Sequence, residues 1–484
     1  MKLRLNSTIA IRAGLIGLTA SFALTAGNLP PIESEVTFSK DIAPILQAHC
    51  QNCHQPDAAA PMSLITYKDV RPWAKAIKSR TLLRNRMGVM PPWYVEKDYG
   101  IQHFKNDRSL SDLELAKIVK WVDSGAPEGN PADLPPAKDL GGNSKWTAGE
   151  PDLILKTAWI NIKANAPDYF GELPSIPTGL VEDRWVKSVE MREENDYSGE
   201  GGRQTVGSRY VIHHLIWTVS VPGMPAYYDG SGGWPLHEVG RNADIFPDDA
   251  GKLLPAGSVL NPYSMHTHSN GRDTKARLLY GFKFFPKGYV PKEHYAYRML
   301  GNGSNIDLLA NTANQRVDAY QVLEEPTKIK SFEPHMHAAG VRSCLEAIWG
   351  DTIETLNCVG YDHNWVLVYD YDDDYAPLLP KGTILHLIGY FDTTAANRNN
   401  PDPRNWRGSG NLSISNMFHD NGESIALTDE QFLAEMQRRK EKFHWTKSQV
   451  IPGCPLCNTE PIPIKPTRKR ATPRAATSTG AGGQ

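Results

Sequence analysis

The sequence predicts a multidomain protein in which a small all-α domain precedes a longer, mainly β region. A length of 484 residues corresponds to two to four domains of ordinary size. Apolar residues recur at helical spacing before residue 125, whereas no long amphipathic helical pattern is apparent after it. The 40 glycines and 36 prolines fit a chain built mainly from strands and loops.

The overall composition is that of an ordinary soluble globular protein. Hydrophobic residues make up 40% of the chain and charged residues 22%. The formal net charge of −2 gives no reason to expect nucleic acid or an anionic membrane surface as a partner.

The two ends of the chain differ from the rest. Lys2 and Arg4 precede an uncharged apolar run from Ala13 to Ala26, which is typical of a signal peptide over residues 1–27. The run is short for a membrane span, and an uncleaved anchor is the alternative. We expect a periplasmic or secreted bacterial protein with no stable membrane span after signal removal. Residues 458–484 are rich in Lys, Arg, Pro and Thr and are predicted to be disordered.

Cys50-Gln51-Asn52-Cys53-His54 has the C-x-x-C-H spacing that attaches a c-type haem. The two thiols would add to the porphyrin vinyl groups, and His54 would ligate the iron. A disulfide or a zinc-binding pair with an incidental histidine is the alternative. Met90, followed by two prolines, is the preferred sixth ligand because a His/Met pair is typical of electron carriers. Met87 and Met62 are the other candidates, and methionine is more often core filler.

Residues 35–130 resemble a class I cytochrome c domain with one covalent haem c. The stretch from Phe38 to Leu46 predicts a short helix that leads into the haem cysteines. Ser111 and Glu114 form a capping-box pattern, and apolar residues at helical spacing follow it up to Gly125. The resemblance implies that this last helix packs against the first one. It also favours Met90, which stands directly before proline.

The other four cysteines form two local pairs. Cys344 and Cys358 flank a turn near Asp351 between two alternating runs, which predicts a hairpin with a cross-strand disulfide. Cys454 and Cys457 lack a following histidine, so a second haem site is not expected. A local disulfide is favoured for them over a redox or metal pair.

Three histidine clusters stand out in the β region: His213-His214, His266-Thr267-His268 and His335-Met336-His337. Residues i and i+2 of a strand share a face, so H-x-H can present two imidazoles to one metal. Adjacent histidines point to opposite faces, so His213 and His214 could share an ion only at a bulge or a strand end. Imidazole suits Zn, Cu, Fe and Ni, and the residue types alone do not name the metal.

Residues 150–450 resemble the copper type II, ascorbate-dependent monooxygenases, the family of the peptidylglycine α-hydroxylating and dopamine β-monooxygenases. Besides the histidine clusters, the resemblance rests on short segments at 333–340, 379–383, 390–392 and 400–403. It implies two tandem all-β, jelly-roll-like sandwiches with one copper ion each, at 150–324 and 325–457. A Pro/Gly linker at 131–149 would separate them from the cytochrome domain.

The resemblance also implies the ligands of both coppers. The first copper would be bound by histidines alone, namely His213, His214 and His266, with His268 as the alternative to His266. The second copper, which would carry the catalysis, would be held by His335, His337 and Met417. Bacterial members of the family usually have an acidic pair before this methionine, whereas this chain has Ser415-Asn416, and His419 is the alternative ligand.

The implied activity is hydroxylation of a C–H bond of a small-molecule or peptide-like substrate with O₂. Electrons from an ascorbate-like reductant or another cytochrome would pass through the haem to an uncoupled dicopper centre whose two sites face a solvent cleft. One alternative is a non-catalytic haem and copper electron-transfer or copper-binding protein. The other is a binding module in which the haem is the only redox group.

Overall fold

The computed structural model describes residues 29–457 except 57, 59, 61, 106, 141–145, 197–208, 224–232, 240, 242, 304, 411, 413 and 446–450. The predicted signal peptide (1–27) and the predicted disordered tail (458–484) lie outside the described residues. The described chain is mostly β-sheet with few helices, as the sequence predicts. None of its described helices is long and apolar enough to cross a membrane. The chain forms two compact units, Met1–Trp93 with Arg108–Gly142, and Tyr94–Asp107 with Asn143–Gln484.

The first unit is helical. A π-helical turn at Phe38–Ile42 leads into the first α-helix, and two 3₁₀ turns lie at Arg71–Trp73 and Pro131–Asp133. The α-helices are α1 (Ala43–His49), α2 (Tyr67–Val70), α3 (Ala74–Thr81) and α4 (Asp112–Asp123).

Helix α4 begins and packs as the sequence predicts. The amide of Glu114 donates to Ser111 Oγ over 3.3 Å, and the amide of Ser111 donates to the Glu114 carboxylate over 2.8 Å, which is the capping box. The ring centres of Trp121 in α4 and Phe38 are 6.3 Å apart, so α4 packs against the start of the first helix. Lys117 adds an ion pair of 3.1 Å to Asp41 on the same contact.

The second unit begins with a two-sheet β-sandwich. Its strands are β1 (Leu153–Lys156), β2 (Ile160–Ile162), β3 (Tyr169–Gly171), β4 (Ile176–Pro177), β5 (Arg184–Asn195), β6 (Ile212–Ser220), β7 (His237–Glu238), β8 (Ala243–Ile245), β9 (Lys252–Leu254), β10 (Val259–Thr267) and β11 (Thr274–Phe284). One sheet has the order β1-β11-β5-β8, with β2 on β11 and β9 on β5; the other has the order β3-β10-β6-β7, with β4 on β10.

Aromatic side chains fill the space between these two sheets. Trp217 from β6 contacts Tyr280 and Phe282 from β11, with ring centres 5.2 and 6.0 Å apart. All three side chains are fully buried. This core fixes β6 and β10, which carry the first histidine clusters.

The remaining strands form a second group of smaller sheets. They are β12 (His294–Tyr297), β13 (Leu300–Gly301), β14 (Asp307–Leu308), β15 (Gln315–Val322), β16 (Thr327–Ile329), β17 (Ser331–Phe332), β18 (Pro334–His335), β19 (Gly340–Trp349), β20 (Thr352–Gly360), β21 (Tyr369–Asp370), β22 (Leu378–Leu379), β23 (Ile384–Phe391), β24 (Arg407–Gly408), β25 (His419–Asp420) and β26 (Glu423–Ala426). The two largest sheets have the orders β15-β23-β19-β20 and β12-β26-β16-β22.

The division between the two groups of strands lies upstream of the predicted position at 324/325. Strands β12 to β15 all precede residue 324, but each of them pairs with a strand that lies after residue 324. The Glu324-Glu325-Pro326 segment is instead a turn between β15 and β16. Pro326 belongs to a connection within the second group of strands. Composition alone does not distinguish such a connection from a linker between domains.

The predicted hairpin with a disulfide is present. Strands β19 and β20 pair around a turn at Gly350, and Cys344 lies directly opposite Cys358, to which it is bonded. Cys454 and Cys457 form the second disulfide, buried in the core of the first sandwich.

Segment Tyr94–Asp107 belongs to the second unit, although it lies inside the predicted cytochrome domain of 35–130. It runs along the edge strand β20: the amide of Gly360 donates to the carbonyl of Tyr94, and Val95 bridges Val359. Arg342 makes a two-pronged ion pair with Glu96, with N–O distances of 2.6 and 2.8 Å. The spacing of apolar residues does not reveal backbone pairing of this kind, so the sequence could not predict that this segment belongs to the second unit.

A fifth helix, α5 (Asp429–Phe443), contradicts the expectation that no amphipathic helix follows residue 125. Its apolar stripe is narrow, because besides Phe432 and Met436 the third buried residue is Arg439. The Arg439 guanidinium donates to the carbonyls of Ala376 and Asp373 over 2.7 and 2.9 Å. A buried charge in place of an aliphatic side chain hides the helical pattern.

A buried arginine joins the two groups of strands. Arg241, between β7 and β8, donates from Nε to Asp244 over 3.0 Å and from Nη1 to Glu333, which lies between β17 and β18. The three side chains are at most 8% exposed. Removing one member of such a pair is costly because the remaining charge stays buried and unpaired.

We therefore expect Arg241→Met to lower the free energy of unfolding by about 3–5 kcal/mol, since Glu333 and Asp244 would lose their common cation. The shift is measured by urea unfolding of the purified protein. Arg404→Ala, which removes a surface pair with Asp402, is the control and should leave the midpoint unchanged. Equal midpoints for the two variants would contradict the bridging role of Arg241.

Candidate metal centre

A β-bulge brings the adjacent histidines of β6 to one site. In the pairing of β6 with β10, His214 faces His266 and Ile212 faces Thr267, so His213 is the extra residue. A bulge re-aims the side chain of the extra residue. The bulge meets the condition under which the sequence allows His213 and His214 to share an ion.

His213, His214 and His266, here called the first histidine set, each offer a ring nitrogen, and these atoms lie within 4.8 Å of one another. The ring centre of His266 is 4.9 Å from that of His213 and 5.2 Å from that of His214. His268 lies outside this group: its ring is 6.1 Å from that of His213, and its Nδ1 faces the carbonyl of Ser269.

The first histidine set is buried and electrically neutral at pH 7. Neither ring nitrogen of His213 has a hydrogen-bond partner among the described residues. Burial, with neighbouring imidazoles, lowers the pKa of His214 to about 3 and that of His213 well below its ordinary value. Neutral imidazoles with free nitrogens are the form that binds a metal.

Two neighbours orient His266. Its Nε2 lies 3.2 Å from a carboxylate oxygen of Asp168, and the ring of Phe170, its cross-strand partner in β3, stacks on it at 4.3 Å. A carboxylate on one ring nitrogen fixes the tautomer and leaves the other nitrogen for a metal.

His335 and His337, here called the second histidine set, lie 5.1 Å apart by ring centres. The sequence predicts that the two rings are close because residues i and i+2 share one face of a strand. This explanation is wrong here. Strand β18 ends at His335, and His337 adopts a left-handed backbone with φ of 67°. His335 Nδ1 lies 2.8 Å from the carboxylate of Glu238 as an ion-pair contact, but neither this nitrogen nor Nδ1 of His337 makes a hydrogen bond to a described residue.

Glu238 connects the two histidine sets. It pairs with His214 across β6 and β7, and its carboxylate faces His335. Burial alone would raise the pKa of Glu238, but the neighbouring His335 and Arg241 outweigh it and lower the pKa to about 2. Glu238 is therefore a carboxylate that can orient His335.

Met417 and His419 both approach the second histidine set. The amide of Met417 donates to the carbonyl of Met336 over 3.1 Å, so its backbone lies beside the H-x-H segment. His419 in β25 is the direct cross-strand partner of His335. Its ring lies over Gly301, where a Cβ atom would come within 2.1 Å of it, so only glycine fits at that position.

His363, which the sequence analysis did not single out, lies between the two histidine sets. Its ring centre is 4.9 Å from that of His213 and 5.4 Å from that of His337. The resemblance implied a solvent cleft between two separate sites. Instead, these buried rings form one continuous cluster.

The predicted haem residues lie in the first unit. Cys50 and Cys53 are free thiols, and burial raises the pKa of Cys50 to about 12. His54 is buried, and its Nδ1 faces the carbonyl of Met62 at 3.1 Å, which leaves Nε2 available. Met90, the predicted sixth ligand, is 41% exposed, and its amide donates to the carbonyl of Arg80.

No protein-family model and no curated protein matches this chain. The site must therefore be interpreted from its own geometry.

Three residues of the cluster escaped the sequence analysis. His363 is a single histidine in a turn, and Asp168 and Glu238 are acidic residues far along the chain from the histidines that they orient. Only the H-E pair at His237-Glu238 resembles the other clusters, and it could have drawn attention to Glu238. Strand pairing brings these residues together, and the spacing of residues along the sequence does not reveal which strands pair.

The lowered pKa values predict acid sensitivity of the metal-free protein. The unfolded imidazoles bind protons below about pH 6.5. The folded ones resist protonation until about pH 3 for His214 and His363. The contribution of these histidines to stability is therefore complete above about pH 6.5 and falls at lower pH, by about 1.4 kcal/mol per pH unit for each such histidine.

Urea midpoints between pH 7 and pH 4 measure this dependence. His363→Gln should make it shallower because one depressed group is removed, while His444→Gln, at an exposed position, should leave it unchanged. The explanation fails if the parent and His363→Gln lose stability in parallel.

Proposed function

We propose that this chain is an exported haem- and copper-dependent monooxygenase that hydroxylates a C–H bond of a small-molecule or peptide-like substrate with O₂. The observation that carries the proposal is the burial of both histidine sets, in which the ring nitrogens of His213 and Nδ1 of His337 lack hydrogen-bond partners among the described residues. Buried polar atoms without partners are costly, and a bound metal removes that cost.

The donor atoms fit copper. Imidazole nitrogen suits Cu in both oxidation states, and a thioether such as Met417 would favour Cu(I). His213, His214 and His266 would hold one ion, and His335, His337 and Met417 the other. Bound copper would supply one-electron redox chemistry and oxygen activation, and a haem attached at Cys50 and Cys53 would supply electrons.

The surrounding residues orient the ligands and exclude water. Asp168 and Glu238 each place a carboxylate against one ring nitrogen, of His266 and His335 respectively, as carboxylates that orient metal-binding histidines do. The rings of both sets are at most 9% exposed. A dry site protects a reactive centre from side reactions with solvent.

The same burial favours a second candidate, a non-catalytic haem and copper electron-transfer protein. A hydroxylase must admit a substrate to the second histidine set, whereas electron transfer needs only a shielded metal. In that case Glu238 and Asp168 would serve only to hold the ligands rigidly.

Copper content and oxygen consumption separate the two functions. With ascorbate as reductant, we expect the copper-loaded parent to consume O₂. His335→Ala should reduce this rate at least tenfold, because one ligand of the oxygen-activating copper is lost. His268→Ala is the matched control and should retain the rate. Copper that is bound and reduced without O₂ uptake would leave the electron-transfer function, and a parent without copper would exclude both.

The haem assignment is tested separately. We expect one c-type haem for each chain in a pyridine haemochrome assay, since Cys50 and Cys53 are both free thiols beside His54. Cys53→Ser should shift the haemochrome band, because only one thioether bond could form. His49→Gln, next to the motif, is the control and should keep the parent spectrum. A parent without a c-type spectrum contradicts the assignment.

A further inference from the structure

We propose that His363 is a metal ligand of this centre and that it joins the two histidine sets into one binuclear site. The inference rests on the proposed function for the identity of the metal, copper. His363 itself follows from its position in the structure, since no motif of the sequence marks it.

The spacing of the rings supports shared coordination. Two imidazoles on one metal, with metal–nitrogen bonds of about 2.0 Å and tetrahedral angles, place their ring centres about 5 Å apart. The ring of His363 is 4.9 Å from that of His213 and 5.4 Å from that of His337. These separations match the 5.1 Å between His335 and His337, the pair within the second set.

His363 has a free ring nitrogen in a buried position. It is 8% exposed, and its Nδ1 has no hydrogen-bond partner among the described residues. A buried nitrogen with no partner, on a ring that lies beside two other imidazoles with unpartnered nitrogens, has the environment expected of a metal ligand.

The backbone around His363 is held from both sides. On one side, the carboxylate of Asp362 accepts from the amide of Asn364 over 3.0 Å, which closes a turn around His363. On the other, Tyr361 Oη accepts from the amide of His337 over 3.3 Å, so the turn is tied directly to the second histidine set. The turn follows β20, the strand that the Tyr94–Asp107 segment covers. These contacts fix the backbone on both sides of His363.

The position of His363 has a consequence for the whole centre. The rings of His266, His213, His363, His337 and His335 follow one another at separations of 4.9 to 5.4 Å. Two ions bound along this row of imidazoles would lie next to each other in one site rather than in two separate sites.

Copper affinity tests the proposal without any activity measurement. Parent protein and His363→Gln are titrated with Cu(I) against a competing chelator. We expect the parent to bind two ions and the variant to bind one of them at least tenfold more weakly. His268→Gln is the matched control, because its ring is near His213 but its nitrogen faces a backbone carbonyl. Equal affinities in the parent and His363→Gln would overturn the proposal.

A second variant separates ligation from a merely structural role. His363→Cys should keep copper bound and give the Cu(II) form a thiolate charge-transfer absorption that the parent lacks, since thiolate is itself a copper ligand. A copper-loaded His363→Cys protein without this band would overturn the proposal. A parent that binds no copper would refute the proposed function instead, which distinguishes the two failures.

Discussion

The buried ion pair between Arg241 and Glu333 is the constraint on which the candidate centre depends. Glu238 lies three residues before Arg241, and His335 lies two residues after Glu333. The pair therefore fixes both chain segments that carry the contact between Glu238 and His335. A second buried pair reinforces it, because the Arg298 guanidinium binds Asp420, whose carboxylate also accepts from the amide of Glu333. Charges buried this deeply favour one arrangement, since any other leaves them unpaired.

The hydrophobic cores and the ionic contacts have different effects on the centre. The hydrophobic core around Trp217 extends beyond the first sandwich, because Tyr295, Leu378 and Ile425 of the second group of strands belong to it. Dispersion and burial are non-directional, whereas a guanidinium between two carboxylates has a defined geometry. Packing therefore brings the two groups of strands together, and the polar contacts define how the segments that carry His213 and His363 are aligned.

Local features of the fold followed from the sequence, and contacts between distant segments did not. The capping box of Ser111, the hairpin around Gly350 and the condition that His213 and His214 share an ion only at a bulge or a strand end all depend on neighbouring residues. The helix that buries Arg439 was missed because its pattern is interrupted by a charge. His363 was missed because a single histidine in a turn acquires its surroundings only from strands far away in the chain.

The placement of Tyr94–Asp107 affects how the protein can be divided. This segment pairs with the edge strand β20, although its neighbours on both sides along the chain belong to the helical unit. A fragment ending near residue 142 would carry the segment without its partner. A fragment starting there would leave the backbone groups of β20 exposed, and uncovered sheet edges promote aggregation. Separate production of the two units therefore requires a cut on each side of this segment, a new connection between residues 93 and 108, and fusion of the segment to the β-region.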